Sequence, residues 1–159
     1  MSENKGLDVN ESVETELDAE PDMSAFLPGA AVEIEEVKEI ISYRYKDAKG
    51  NPIPFRFKPI STERIEELEK ECTTYKKVKG QGRVRELDTQ RFAARMAIET
   101  TVYPDFKSKM LRQKYNTQDP VEVAKKVLSV GGEYTRWIEK ANDLNGFGDD
   151  ETLEEMAKN

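Results

Sequence analysis

Apolar residues along the chain change their spacing once, near residue 61, and that change organises the rest. From Val37 to Lys46, the residues Ile41, Tyr43 and Tyr45 alternate with Ser42, Arg44 and Lys46. Asp47-Ala48-Lys49-Gly50-Asn51-Pro52 then supplies a turn composition. Beyond it, Ile53, Phe55 and Phe57 alternate with Pro54, Arg56 and Lys58. Two runs of period two across a short turn predict a β-hairpin with one buried face. Pro54, on the polar face, places its run at a sheet edge.

Past Pro59 the period lengthens to that of a helix. Ser61 can cap it by accepting from a first-turn amide, and Glu63, Glu66 and Glu67 suit the positive end of the helix dipole. Ile65, Leu68, Cys72 and Tyr75 form its core-facing stripe. The stretch Lys76–Arg85 has no period and contains Gly80-Gln81-Gly82, so it reads as a mobile loop. Asp88 caps the next helix, with Phe92, Met96, Thr100 and Tyr103 on one stripe and Pro104 as its stop. A short helix is predicted over 108–115. Asp119-Pro120 opens a further helix carrying Val123, Ala124, Val127 and Leu128, which Gly131-Gly132 ends. The last helix carries Tyr134, Trp137, Ile138, Ala141 and Leu144, and Asn145-Gly146 terminates it with a left-handed residue.

The expected fold is therefore α+β, an N-terminal β-hairpin packed on four or five short helices. A single domain spans 37–148, after a disordered acidic tail over 1–36 and before an acidic tail or frayed helix over 149–159.

Charge sharpens this division. Residues 1–39 hold 12 acidic and 2 basic groups, residues 40–115 hold 10 and 18, and residues 116–159 hold 10 and 5. Hydrophobic and charged residues each make up 36% of the chain, against about 45–50% and 25% in ordinary globular domains, so part of the chain is expected to stay unpacked. A basic middle between acidic ends can attract its own tails, acidic partners or nucleic acid.

The chain has no histidine and one cysteine, Cys72. That removes Ser-His-Asp and Cys-His nucleophilic pairs, His-ligated metals and a disulfide framework. Cys72 lies on an apolar stripe, where a buried thiol is inert. Gly80-Gln81-Gly82 is no phosphate loop, because Arg85 stands where the third glycine is required. The carboxylates at Glu66, Glu67, Glu69 and Glu71 spread around a polar helix face, and those at Asp149-Asp150-Glu151 lack the spacing of a calcium loop. No apolar run approaches the roughly 20 residues that cross a bilayer, and the N-terminus has no signal-peptide pattern. The expectation is a cytoplasmic protein that is no enzyme and uses no cofactor or metal. Its candidate partner-binding residues are Lys76, Lys77, Lys79, Arg83 and Arg85 in the basic stretch, and the aromatics Tyr43, Tyr45, Phe55 and Tyr103.

Several segments together resemble one family. They are Asn51-Pro52-Ile53-Pro54-Phe55-Arg56-Phe57, Ile60-Ser61-Thr62-Glu63, Lys70-Glu71-Cys72-Thr73, Lys79 through Asp88, Val102-Tyr103-Pro104-Asp105, Gly132-Glu133-Tyr134 and Asn145-Gly146-Phe147. In this order they resemble the XkdN-like tail assembly chaperones of Bacillus-type prophages and related phages, over roughly residues 37–148. Val130-Gly131 departs from the Leu-Pro that the family favours there. The resemblance implies a non-enzymatic protein that coats the tape measure protein, keeps it soluble until tail tube protein polymerises around it, and is absent from the finished virion. Three other readings remain on the residues alone: a basic-loop nucleic-acid-binding accessory protein, a generic protein–protein adaptor, and a carboxylate- or lysine-dependent enzyme, which would need a concave pocket with strongly perturbed pKa values.

Overall fold

The computed structural model describes residues 22–148. The readings made for 1–21 and 149–159 lie outside these residues. The described chain divides at Glu33/Ile34 into two units. In the first, the Asp22 carboxylate accepts from the Ser24 amide at 2.9 Å and caps a 3-10 helix, Met23–Phe26, whose Met23 and Phe26 are exposed.

The second unit is built around a three-stranded antiparallel sheet. Strands β1 (Val37–Glu39), β2 (Phe55–Phe57) and β5 (Thr101–Tyr103) lie in that order, with Val37 opposite Phe57 and Glu39 opposite Phe55. Phe55 and Phe57 are buried while Arg56 between them is not, as period two requires. The predicted pairing is thus present, but over three residues only. Its second strand is not the edge strand that Pro54 suggested: β2 pairs on both sides, and Pro54 lies just before it, where no ladder donor is required. Between Ile40 and Tyr45 the chain leaves the ladder: Ile41 and Ser42 are both buried and Tyr43 points out. A bridge at Lys46–Pro52 closes the turn, where the Asp47 carboxylate accepts from the Lys49 and Asn51 amides.

Helix α1 (Thr62–Glu71) begins where the Ser61 hydroxyl accepts from the Arg64 amide at 3.1 Å. It stops one turn earlier than its apolar stripe suggested. Strands β3 (Thr73–Val78) and β4 (Gly82–Leu87) follow as a second, separate hairpin. This overturns two expectations: Tyr75 sits on a strand, and Lys76–Arg85 is paired backbone instead of a loop. The Gln81 amide donates to the Val78 carbonyl at 3.0 Å, and Gly80 takes φ 86° at the turn, a conformation that side chains with a Cβ disfavour.

Asp88 caps helix α2 (Thr89–Thr100), which ends four residues before Pro104 because β5 pairs with β2 there. Helix α3 (Lys109–Lys114) is capped by Ser108, and α4 (Pro120–Val127) by Asp119 with Pro120 in its first turn. Gly131-Gly132 does not end α4, as the sequence reading had it. Those glycines form the first turn of α5 (Gly131–Leu144), where Glu133 is the third residue and accepts from the Val130 amide. At the far end the Phe147 amide donates to the Asn142 carbonyl, the Gly146 amide donates to the Asp143 carbonyl, and Gly146 has φ 87°. That is a Schellman ending.

The core is a line of aromatic rings. Phe57 meets Phe55 at 6.2 Å between centroids, Phe55 meets Phe106 at 6.0 Å, and Phe106 meets Trp137 edge-on at 5.5 Å. Ile41, Val123, Ala124, Val127 and Leu128 close around them. Trp137 is fully buried, and its indole N–H donates to the Thr101 hydroxyl at 2.8 Å. Asn145 ties the segment before α1 to α2 and α5: its carbonyl oxygen accepts from the Ile60 amide, and its NH₂ donates to the Thr100 hydroxyl and the Ala141 carbonyl.

Candidate partner-binding surface

The nine sequence-derived candidates fall into two places and one outlier. Tyr45, Phe55 and Tyr103 come together around a small apolar cavity of about 170 Å³, completed by Ile53, Pro104, Leu111, Tyr115 and Val127. Phe55 is its floor and belongs to the core. Tyr45 is half-buried, and its hydroxyl donates to the Val127 carbonyl at 2.6 Å. Tyr103 is 44% exposed at the mouth, with the Arg56 guanidinium 5.3 Å above its ring. Burial pushes the Tyr45 hydroxyl above the ordinary tyrosine pKa, and the neighbouring Tyr115 adds to this, so it stays a neutral donor.

One polar clamp fixes that wall of the cavity. Ser42, Arg44 and Glu133 meet where the segment after β1 crosses the start of α5. The Glu133 carboxylate is 8% exposed and accepts from Arg44 Nε at 3.0 Å, from Arg44 Nη2 at 2.6 Å and from the Ser42 hydroxyl. Arg44 Nη2 also donates to the same Val127 carbonyl that holds Tyr45. These contacts explain why Ser42 is buried while Tyr43, the next residue, is 64% exposed. Tyr43 is thus the outlier, an open aromatic outside the cavity lining.

The five cationic candidates lie on the β3–β4 hairpin but do not share a side. Tyr75 faces Arg85 and Lys77 faces Arg83 across the ladder, so these four occupy one face. Lys76 lies on the other face, paired with Glu86 at 2.6 Å, and Lys79 sits in the turn. Sequence reasoning placed Tyr75 in the core, yet it is 61% exposed with the Arg83 guanidinium 5.4 Å over its ring. The signal that could have found it was β-forming Thr73, Thr74, Tyr75, Val78 and Val84 flanking Gly80-Gln81-Gly82.

A wider, open groove of about 730 Å³ runs between α2, α4 and α5, floored by Ala94 and Val121 and walled by Tyr134 and Ile138. Among the described residues, no cluster of three or more His, Cys, Asp or Glu is placed to hold a metal ion. No helix among them is long and apolar enough to cross a membrane. Cys72 is buried.

Comparison with known proteins matches residues 23–159 to the family described as "Phage XkdN-like tail assembly chaperone protein". The chain is 66% identical over 139 residues to the phage-like element PBSX protein XkdN of Bacillus subtilis (strain 168), covering 87% of this chain and 94% of that one. It is equally similar, at 66% over 139 residues, to the uncharacterized protein YqbN of the same organism, covering 93% of it. Among solved structures, the crystal structure of YqbN superposes with a TM-score of 0.73 at 55% identity, over 82% of this chain and 100% of that one.

Proposed function

The chain belongs to the XkdN-like family of phage tail assembly chaperones, and on that premise we propose that it binds the tape measure protein and keeps it soluble until tail tube subunits polymerise around it. The family match across residues 23–159 carries this reading. The family acts in the host during tail assembly. We place this protein in the host cytoplasm, absent from the mature virion, doing no chemistry.

The geometry supports the reading through its apolar cavity. A tape measure is a long helical protein with apolar stripes, and its holder has to take single apolar side chains from many similar turns and release them. A cavity of about 170 Å³ edged by Tyr45 and Tyr103 has room for one aliphatic side chain. Aromatic anchors in such pockets dominate binding energies, while the surrounding contacts mainly exclude water. The acidic balance of the chain, −7 at pH 7, favours solubility of a loaded complex.

The test is co-expression with the tape measure protein from the same tail gene cluster. Its soluble fraction should rise with this chain present and fall with its omission at equal expression. Equal precipitation in both cases would leave a generic adaptor as the better account.

A further inference from the structure

The β3–β4 hairpin carries an arrangement that folding alone does not explain. Of its strand residues only Thr73, Val84 and Leu87 are half-buried, and the rest are exposed. A two-stranded hairpin without a covered face is marginal in water. This one also sets Lys77 directly opposite Arg83, a like-charge cross-strand pair that weakens the ladder. Arg85 on the same face is partly neutralised by Glu69 at 2.7 Å, and Lys76 on the other face by Glu86. No described carboxylate forms an ion pair with Lys77 or Arg83. Tyr75 lies between them and the hairpin base, its ring open on the side that Arg83 does not cover.

We propose that the Tyr75–Lys77–Arg83–Arg85 face of this hairpin is a docking site for an acidic segment of a partner protein. Charge complementarity is the argument. The Arg83 guanidinium covers one side of the exposed Tyr75 ring, and Lys77 and Arg85 share its face of the ladder. Carboxylates laid across that face would relieve the Lys77–Arg83 repulsion and be gripped through paired N–H donors. An aliphatic stem beside each carboxylate would pack on Tyr75. A nucleic-acid strand is the less suitable occupant. The protein's net charge of −7 repels an extended polyanion over its whole length, whereas a short acidic segment meets only the local field. The assignment holds for any partner with such a segment and does not depend on the tape measure reading.

One substitution separates binding from folding. Lys77→Glu replaces the like-charge pair with an attractive one, so hairpin stability should hold or rise while one cation of the site is reversed. The probe is a short fluorescein-labelled oligoglutamate peptide, titrated into the full chain and followed by anisotropy. Binding should weaken about tenfold in Lys77→Glu and again in Arg83→Glu, while Lys109→Glu, an equal charge change on exposed α3, should alter it less than about twofold. Amide exchange across Tyr75–Val84 should show no loss of protection in Lys77→Glu. Equal weakening by Lys77→Glu and Lys109→Glu, or no measurable peptide binding, would overturn the proposal. An oligothymidylate of matched charge binding more tightly than the peptide would overturn it too, in favour of a nucleic-acid site.

Discussion

Arg44 and Glu133, 89 residues apart in sequence, are joined by two hydrogen bonds, Nε to Oε2 at 3.0 Å and Nη2 to Oε1 at 2.6 Å. The pair ties the segment after β1 to the first turn of the last helix. It thereby holds Tyr45 against the Val127 carbonyl at the edge of the apolar cavity. Glu133 has a second role at the same place, accepting from the Val130 amide, because valine brings no capping oxygen of its own.

This geometry predicts an acid dependence. Hydrogen bonds from Arg44, opposed by burial and assisted by Ser42 and the Val130 amide, hold the Glu133 carboxyl at about 2, below its ordinary 4.5. A depressed carboxyl pKa gives stability that is present above about 4.5 and lost as pH falls toward 2. In urea unfolding, Glu133→Gln should be less stable than the wild type at neutral pH, with the gap closing through that window. A gap unchanged from neutral pH to pH 2 would show that the carboxylate charge is not what matters.

The aromatic core should be the most sensitive site to truncation. Phe106 touches both Phe55 and Trp137 and is almost fully buried. Phe106→Ala should cost about 3–5 kcal/mol, a large part of a small domain's stability. Trp137 is the only tryptophan, so its fluorescence in a denaturant series reports the loss directly.

Gly146 should resist substitution for reasons of backbone alone. Nothing lies within 4 Å of where a Cβ would stand, but its φ is +87°. Gly146→Ala should therefore destabilise by about 1–2 kcal/mol through left-handed strain. Gly131→Ala, in the first turn of α5 with equally open space and no positive φ, should not destabilise. Thermal melts of the two variants side by side make the comparison.

At the proposed chaperone surface, apolar and charged contacts should behave differently. Tyr103→Ala removes the exposed ring at the cavity mouth and should weaken partner binding by about 2 kcal/mol or more. Joint charge reversal at Lys76, Lys77 and Lys79 should act chiefly on association rate, and more strongly at low salt. Calorimetry and stopped-flow binding to a tape measure fragment would distinguish the two. The same salt-sensitive rate loss in Tyr103→Ala would argue against an apolar anchor.

Much of this fold was written locally. Ser61, Asp88 and Asp119-Pro120 mark helix starts because a cap is a contact between residues two or three apart, which spacing alone reveals. Asn145-Gly146 marks an end for the same reason. The Phe55–Phe57 alternation identified a buried strand face, and the absence of histidine closed whole classes of chemistry before any folding was considered. Other features depended on neighbours distant in the chain. The hairpin at 73–87 buries almost nothing, so hydrophobic periodicity could not register it. Residues Thr101–Tyr103 continue a helical stripe in sequence, yet they become a strand because the edge of β2 is there to pair with. Ser42 is buried and Tyr43 exposed, against the alternation, because Glu133 arrives from 91 residues away to satisfy the serine hydroxyl. Periodicity records which side chains avoid water. Which polar group meets its partner, and which aromatic is left open, is settled only when the chain closes on itself.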